Sequence, residues 1–468
     1  MTTILAIDQG TTATKAVVIG AAGKVLAHAS EKVATTSLPG GGMQQDPEEI
    51  YRAVLTTGAK AAAQSGRRID AVALATQGES VLAFDPATGT ALSPVLTWQD
   101  RRAEEICRRL KGHADGLAAA TGLRLSSYFT APKLTWLREN VTREGVISTI
   151  DAWLLYRLTG QFATDAATAS RSLLVDLDSG TWDPHLAEVF GLDAERMPRI
   201  VANDEIVGET SAFGFPVPVA GVILDQPAAL LAQRCLKAGQ VKVTYGTGAF
   251  LLANAGPVPP VGPRALTCST AWQIGAGRTF CYDGQVFAAA SVLSWLVKIG
   301  VLGRVDDLDA ACARTPGDAV CVPSFDDPAG ARLSGLDLAT GRDQIVAAAV
   351  YGIAASVAEL YDRAGMDVGT LLVDGGLTQS KTLVQAQANL LQVPVRAYTG
   401  AHATAQGAAA LARLALDRNT TVELELVERA AKPVVPTWSA ERAAEYRERW
   451  RQSAQGAVRE RAPAAVGV

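Results

Sequence analysis

The chain is poor in the residues that build metal centres and cross-links. Its 468 residues hold four histidines, His28, His113, His185 and His402, none at metal-ligand spacing from another, which argues against a zinc site. Six cysteines, Cys107, Cys235, Cys268, Cys281, Cys312 and Cys321, are scattered without a C-x-x-C pair. In a chain of this length they read as small buried hydrophobes in a reducing compartment. There is no basic tract and the net charge is −4, so nucleic-acid binding is disfavoured as a primary role. No stretch of about 18 residues has the uncharged, apolar make-up that spans a bilayer, and the N-terminus lacks a basic region followed by an apolar core. The expectation is a soluble, cytoplasmic protein.

What is present is a globular composition, 48% hydrophobic and 19% charged, without the signature of disorder. The length exceeds what one core fills, so two domains are expected. In ILAIDQGTTATKAVV, residues 4–18, two apolar runs flank a turn carrying Asp8, Gly10, Thr11, Thr12, Thr14 and Lys15. Glycine lets N–H groups approach an anion, hydroxyls add neutral donors, and lysine brings positive charge. Asp8 can hold a divalent cation beside a phosphate. Alone, the segment reads equally well as an ordinary polar hairpin. The pattern recurs at 241–253, where Gly246, Thr247 and Gly248 sit between two strand-like runs. Two such hairpins imply a duplicated fold in which each half offers one phosphate-gripping turn.

Strands and helices alternate, which predicts a largely parallel, covered sheet. Asp46 and Pro47 mark a helix start. A strand over 71–75 ends in Thr76-Gln77-Gly78-Glu79-Ser80, and ligand sites gather at such ends. Asp225 follows a strand over 221–224, where it suits catalysis and equally suits a helix N-cap. In the amphipathic stretch 131–140, Lys133 and Trp136 are expected to face outward or line a cleft rim. Further on, the pattern predicts a helix over 286–299, a strand over 320–325 leading into a loop, and a core helix over 343–364. A strand over 371–373 then runs into Gly375-Gly376, a tightly packing segment covers 404–412, and a charged C-terminal helix covers 438–455.

The order of these motifs resembles the FGGY family of carbohydrate kinases, within the superfamily of sugar kinases, actin and heat-shock chaperone ATPases. The likeness rests on DQGTTATKAVV (8–18), TWQDRR (97–102), SYFTAPKLTWL (127–137), DAWLLYRLTG (151–160), TDAATASRSLL (164–174), LDQPAAL (224–230), TYGTGAFLL (244–252) and VDGGLTQS (373–380). Within the family the segments are most similar to those of glycerol kinases.

The resemblance implies an α/β fold of two actin-like (ribonuclease H-like) domains, with mixed sheets flanked by helices and an interdomain cleft. Residues 1–230 would carry the substrate pocket and first phosphate turn, 231–430 the ATP site, and 431–468 a helical tail. It further implies ATP, Mg²⁺ and a small-molecule polyol or sugar. The leading reaction is glycerol to glycerol 3-phosphate by in-line γ-phosphoryl transfer, with Asp225 as general base. Another polyol or ketose, such as xylulose, erythrulose or erythritol, is the alternative. An actin- or chaperone-like ATPase module is the competing class, against which the TWQDRR and SYFTAPK segments argue. By position, Gly78, Glu79, Trp98, Tyr128, Asp225, Gln226 and Phe250 would bind the acceptor. Thr11, Thr12, Lys15, Gly246, Thr247, Ala290, Ser294, Gly376 and Ser380 would bind ATP, and Asp8 would position the metal. Neither a nucleic acid nor a membrane is implied as partner; a homodimer or homotetramer stays open.

The chain also departs from that pattern. Gly78 stands where glycerol kinases carry an arginine, which is expected to enlarge the pocket and remove charged donors. Ala290 and Ser294 replace glycine and glutamine, Ser380 replaces asparagine, and the loop DDPAGARLSG after Phe325 is short. His402 sits where glutamate is common.

Overall fold

Strand Ile4–Gln9 lies inside a six-stranded mixed sheet in the computed structural model, which describes residues 2–259, 266–312, 316–324, 330–366, 369–427 and 429–459. The sheet order is Ile206–Thr210, Val217–Leu224, Ala71–Thr76, Ile4–Gln9, Ala13–Ile19, Val25–Lys32. The three strands from Val217–Leu224 to Ile4–Gln9 run parallel, and the outer strands pair antiparallel. Both faces are covered, and for that reason Ile4 to Ile7 and Ala71 to Ala75 are apolar at every position instead of alternating.

On one face, Leu5, Ile7, Val72 and Leu74 share a core with Ile50, Ala53 and Val54 of helix Pro47–Ser65 and with Trp153 and Leu154 of helix Ile150–Thr159. Asp46 caps the first of these helices, accepting from the N–H groups of Glu48 and Glu49 as its sequence predicts. The other face is covered by helix Ala403–Leu416, an alanine-rich element that lies close because two glycines admit it. A Cβ on Gly221 would stand 2.5 Å from the Ala408 carbonyl oxygen; one on Gly407 would stand 2.0 Å from the carbonyl oxygen of Ala228 in helix Asp225–Ala232. Arg413 and Gln406 secure this helix by donating to the carbonyls of Ile19, Gly20 and Gly23.

A five-stranded antiparallel sheet, in the order Thr36–Leu38, Gly42–Gln45, Val95–Leu96, Val81–Phe84, Val146–Thr149, packs a second core with Leu134 and Leu137 of helix Thr130–Asn140. Lys133 of that helix does not face outward. It is fully buried.

The compact units are not continuous along the chain. One comprises Met1–Ala238, Asn254–Cys281 and Ala401–Glu428, the other Gly239–Ala253, Tyr282–Gly400 and Arg429–Val468. In the second, Val241–Tyr245 pairs antiparallel with Ala249–Gly256 and parallel with Leu371–Asp374, which in turn pairs parallel with Val395–Ala397. The layout repeats that of Ile4–Gln9, whose strand also has a hairpin partner on one side and a parallel neighbour on the other. The class is therefore mixed sheets flanked by helices, occurring twice.

Helix Arg342–Ala364 is the one described helix long and apolar enough to cross a membrane by length and composition, and 78% of that window is buried inside the protein. A Cβ on its Gly352 would stand 2.1 Å from the Cys321 carbonyl oxygen of strand Val320–Val322. Helix Ala440–Arg459 is tied to the same strand by Trp450, whose Nε1 donates to that carbonyl at 3.0 Å, and to Glu359 by Arg447 at 2.7 Å. The helix expected over 286–299 begins at Ala290, because strand Gly277–Val286 runs on further than its polar content suggests. Phe325 and residues 326–329 of the short loop lie outside the described residues.

Candidate functional site

The register Gln9↔Thr76↔Leu224 brings the carboxyl ends of three adjacent parallel strands to one edge of the first sheet. The turn after Gln9, the segment Gln77 to Ser80, and Asp225 with Gln226 follow there side by side. This is the edge of a parallel sheet where ligands bind. Asp8, Thr11, Thr12, Lys15, Gly78, Glu79, Trp98, Tyr128, Asp225 and Gln226 all belong to the first unit; Gly246, Thr247, Phe250, Ala290, Ser294, Gly376 and Ser380 belong to the second.

In the opening hairpin Asp8 stands across from Lys15. Its half-buried carboxylate makes no hydrogen bond or ion pair among the described residues. Burial pushes it up to about 6, against the pull of the Lys15 charge. The turn is closed by Gly10 N–H donating to the Ala13 carbonyl at 3.0 Å. Thr11 is committed to the protein: its hydroxyl accepts from Trp98 Nε1 at 2.9 Å and donates to Gln77 Oε1 at 3.0 Å, while Gln45 Nε2 donates to its carbonyl at 2.6 Å. Thr12 differs, being exposed, with a hydroxyl and N–H that donate to nothing among the described residues. Of the two threonines, Thr12 has donors for an anion and Thr11 shapes the turn.

Glu79 is buried and holds a left-handed backbone, φ +51°. Its carboxylate is paired with the Arg171 guanidinium through Nε. Arg171 lies against Tyr128 and Phe129, its Cζ 5.7 and 5.5 Å from the ring centroids, and Trp98 meets Tyr128 edge-on at 5.9 Å. Sequence reasoning missed Arg171; the available signal was a lone basic residue among the small residues of TDAATASRSLL. It directly follows the short helix Ala166–Ser170, capped by Asp165 through the N–H groups of Ala167 and Thr168 and anchored by Asn203 Nδ2 at 3.1 Å. Burial, then the neighbouring Asp151 charge, pushes the Asp165 carboxyl up to about 7.

Lys133 acts on the same wall from behind. Its ammonium donates to the carbonyls of Ser127, Tyr128 and Phe129 at 2.9, 2.5 and 2.7 Å, so it fixes the loop that presents Tyr128. Burial pushes it down to about 7, opposed by Glu79 and Asp100. Three backbone acceptors outweigh the outward preference that amphipathic spacing suggests.

At Gly78 a Cβ would stand 2.7 Å from Leu224 Cδ1, so the leucine lies beside its Cα, and the nearby guanidinium of Arg171 is the one on Glu79. The N-cap alternative for Asp225 is not adopted. Asp225 is the first residue of its helix, the cap position is Leu224, and its Oδ1 accepts from the Gln226 N–H at 2.6 Å. A cap at 225 would accept from the N–H of residue 227 or 228, and residue 227 is proline, which has none.

The turn of the second unit is built in the same way. Gly246 N–H donates to the Gly248 carbonyl at 2.8 Å, and a Cβ on Gly248 would stand 2.6 Å from the Val286 carbonyl oxygen. The N-terminus of helix Ala290–Lys298 donates back to it, from Ala290 to the Gly246 carbonyl at 3.1 Å and from Ala289 to that of Thr247 at 2.8 Å. Thr247, like Thr12, is exposed, with a hydroxyl and N–H that donate to nothing among the described residues. Ser294 is exposed one turn along the helix. Gly375, at φ +95°, presses on the Tyr245 carbonyl, whereas the space at Gly376 is open. Ser380 caps helix Lys381–Leu391 and donates to Asp309 Oδ1 at 2.6 Å. Phe250 is half-buried opposite Thr244.

Comparison with known proteins covers both halves of the chain. The N-terminal-domain model of the FGGY family of carbohydrate kinases matches residues 3–232, and its C-terminal-domain model matches residues 241–416. A glycerol kinase of Alkalilimnicola ehrlichii is 37% identical over 451 residues, 90% of this chain and 91% of that protein. A glycerol kinase of Thermus brockianus is 36% identical over 437 residues, 87% and 88% of the two chains. Among solved structures, glycerol kinase of Plasmodium falciparum with ADP superposes with a TM-score of 0.91 at 24% identity, covering 98% of each chain. A ligand-bound xylulose kinase of Lactobacillus acidophilus superposes at 0.90 with 20% identity, covering 99% of each; both structures share the fold.

Proposed function

The chain belongs to the FGGY family of carbohydrate kinases, and from that premise we propose that it transfers the γ-phosphoryl group of ATP to a hydroxyl of glycerol, giving glycerol 3-phosphate and ADP. The observation that carries this reading is the meeting of Asp225, the Glu79 segment and the first hairpin turn at the ends of three neighbouring parallel strands. Relatives named glycerol kinase match nine-tenths of the chain. Gly78 is what favours a second reading, another small polyol or a ketose.

Phosphoryl transfer depends on in-line positioning and on neutralising phosphate charge more than on covalent chemistry. In our assignment Asp225 is the general base, accepting the hydroxyl proton as the phosphorus–oxygen bond forms. Glu79, Trp98, Tyr128, Gln226, Phe250 and the Gly78 backbone bind the acceptor. Thr12, Lys15, Gly246 and Thr247 hold phosphates through hydroxyl, ammonium and backbone N–H groups, with Thr11 fixing the first turn. Ala290, Ser294, Gly376 and Ser380 form the adenosine side. Asp8 fits a Mg²⁺ ligand, because it is a half-buried carboxylate without a hydrogen bond or ion pair among the described residues, and Mg²⁺ takes one or two carboxylates beside phosphates and water. When bound, the ion would neutralise phosphate charge.

We assign acceptor binding and the first phosphate turn to residues 1–230, ATP binding to 231–430 and a helical tail to 431–468. The setting we propose is cytoplasmic, with a dimer or tetramer distinguished by sedimentation. A coupled ADP-release screen over glycerol, tetritols, pentitols and ketopentoses tests the reaction. Glycerol is expected to give the highest kcat/KM; a higher value for a ketopentose replaces glycerol, and ADP release indifferent to every acceptor overturns the kinase reading.

A further inference from the structure

Two segments flank the Gly246 turn within the second unit. Helix Ala290–Lys298 gives the N–H of Ala290 to the Gly246 carbonyl at 3.1 Å, and residues Gly375 to Ser380 follow the strand paired in parallel with Val241–Tyr245. The residues assigned to the adenosine side lie on these segments, and their hydroxyl protons are already committed. Ser294 Oγ donates to the Ala290 carbonyl at 3.0 Å. Ser380 Oγ donates to Asp309 Oδ1 at 2.6 Å and accepts from the Leu383 N–H at 3.2 Å. Asp309 holds that hydroxyl in place, because its carboxylate is itself anchored by the N–H groups of Lys381 and Thr382, each at 3.0 Å. Ala290 has no polar side-chain atom, and Gly376 has no side chain.

A purine is identified at its edge. Adenine presents an amino donor beside ring-nitrogen acceptors, whereas hypoxanthine and guanine carry a carbonyl oxygen in place of that amino group. A side-chain amide tells them apart by matching a donor and an acceptor to the edge. A hydroxyl whose one proton is held elsewhere supplies no such pair. The open space at Gly376 admits the flat face of any purine, and the turn beside it meets a triphosphate that every nucleoside triphosphate shares.

We propose that the enzyme uses GTP and ITP as phosphoryl donors alongside ATP, because Ser380, locked by Asp309, leaves the purine edge unread. The proposal rests on the nucleotide-site assignment above. The transfer itself is unchanged. The bond from the γ-phosphorus to its bridging oxygen breaks, one to the acceptor oxygen forms, the hydroxyl proton passes to Asp225, and GDP or IDP departs.

The test follows formation of the phosphorylated acceptor, with ATP, ITP and GTP compared as magnesium salts on the wild-type enzyme. The kcat/KM for ITP and for GTP is expected within about 10-fold of that for ATP, whereas a site hydrogen-bonded to the adenine edge rejects the mismatched base by about 10⁴-fold. A preference for ATP beyond about 10-fold overturns the proposal. Ser380→Asn keeps a good helix cap and adds an amide; it is expected to raise the ATP-over-ITP ratio by about 10-fold or more, with an unchanged thermal midpoint. An unchanged ratio takes Ser380 away from the base and also overturns the proposal, and a fallen midpoint leaves the wild-type comparison to decide. If no nucleoside triphosphate supports phosphorylation of any acceptor, the kinase reading itself falls. Use of ATP without ITP or GTP removes this proposal alone.

Discussion

The indole Nε1 of Trp98 donates to Oγ1 of Thr11 at 2.9 Å, so a residue proposed for the acceptor wall holds the turn proposed for the phosphates. Gln77 and Gln45 extend that link to the strand end and the neighbouring sheet. Trp98→Phe keeps an aromatic side chain but removes the indole donor, a hydrogen bond worth about 1 kcal/mol. The expected result is a fall of about 5-fold to about 10-fold in kcat/KM for acceptor and ATP together, measured by steady-state kinetics. An effect on the acceptor alone would mean that the link carries nothing to the turn.

Asp225 has the most direct role in our assignment. Asp225→Asn preserves shape and removes the base, and kcat should drop by about 10²-fold or more while the acceptor KM moves less. Turnover close to wild type would take Asp225 out of the reaction.

The Asp8 carboxyl gives two pH effects of opposite sense. Its value is raised to about 6 from an ordinary 3.8, so between those limits the folded protein binds more protons than the unfolded chain. Stability of the ligand-free protein should therefore fall as pH rises through this window, and Asp8→Asn should flatten the slope in urea titrations at stepped pH. Activity should do the reverse, failing as pH drops through about 6, because the ionised form is the one that can hold a cation. If the variant keeps the wild-type slope, Asp8 is not its source.

Packing of helix Ala403–Leu416 is sensitive to a single methyl group. In Gly407→Ala the new carbon would stand 2.0 Å from a backbone oxygen, which cannot swing aside as a side chain can. A loss of about 1–3 kcal/mol is expected, the scale of core overpacking, read from the urea midpoint. Gly376→Ala is the contrast, since its space is open. Stability there should move by less than about 0.5 kcal/mol, with any cost appearing in the ATP KM.

Local features were the legible ones. Both hairpins, the Asp46 cap and the strand ends before Gln77 and Asp225 follow from propensity, turn chemistry and apolar runs within a few residues. What was not legible has a different cause. Lys133 is satisfied by main-chain carbonyls, which every sequence has and none announces. Arg171 meets Glu79 from 92 positions away. Leu224 lies beside Gly78 only through the pairing of two parallel strands. The late start at Ala290 reflects a strand whose polar residues are tolerated by tertiary context over local pattern. Chemistry that arises within one segment can be read in order, whereas chemistry made by distant segments meeting needs the fold.

The return of residues 401–428 to the first unit sets a timetable for biosynthesis. Strands Ile4–Gln9 and Ala71–Thr76 leave the ribosome long before the helix that shields one of their faces. The nascent chain must hold that surface uncovered while the intervening segments are translated. A stop codon just before residue 401 would thus injure the half of the protein that was made first.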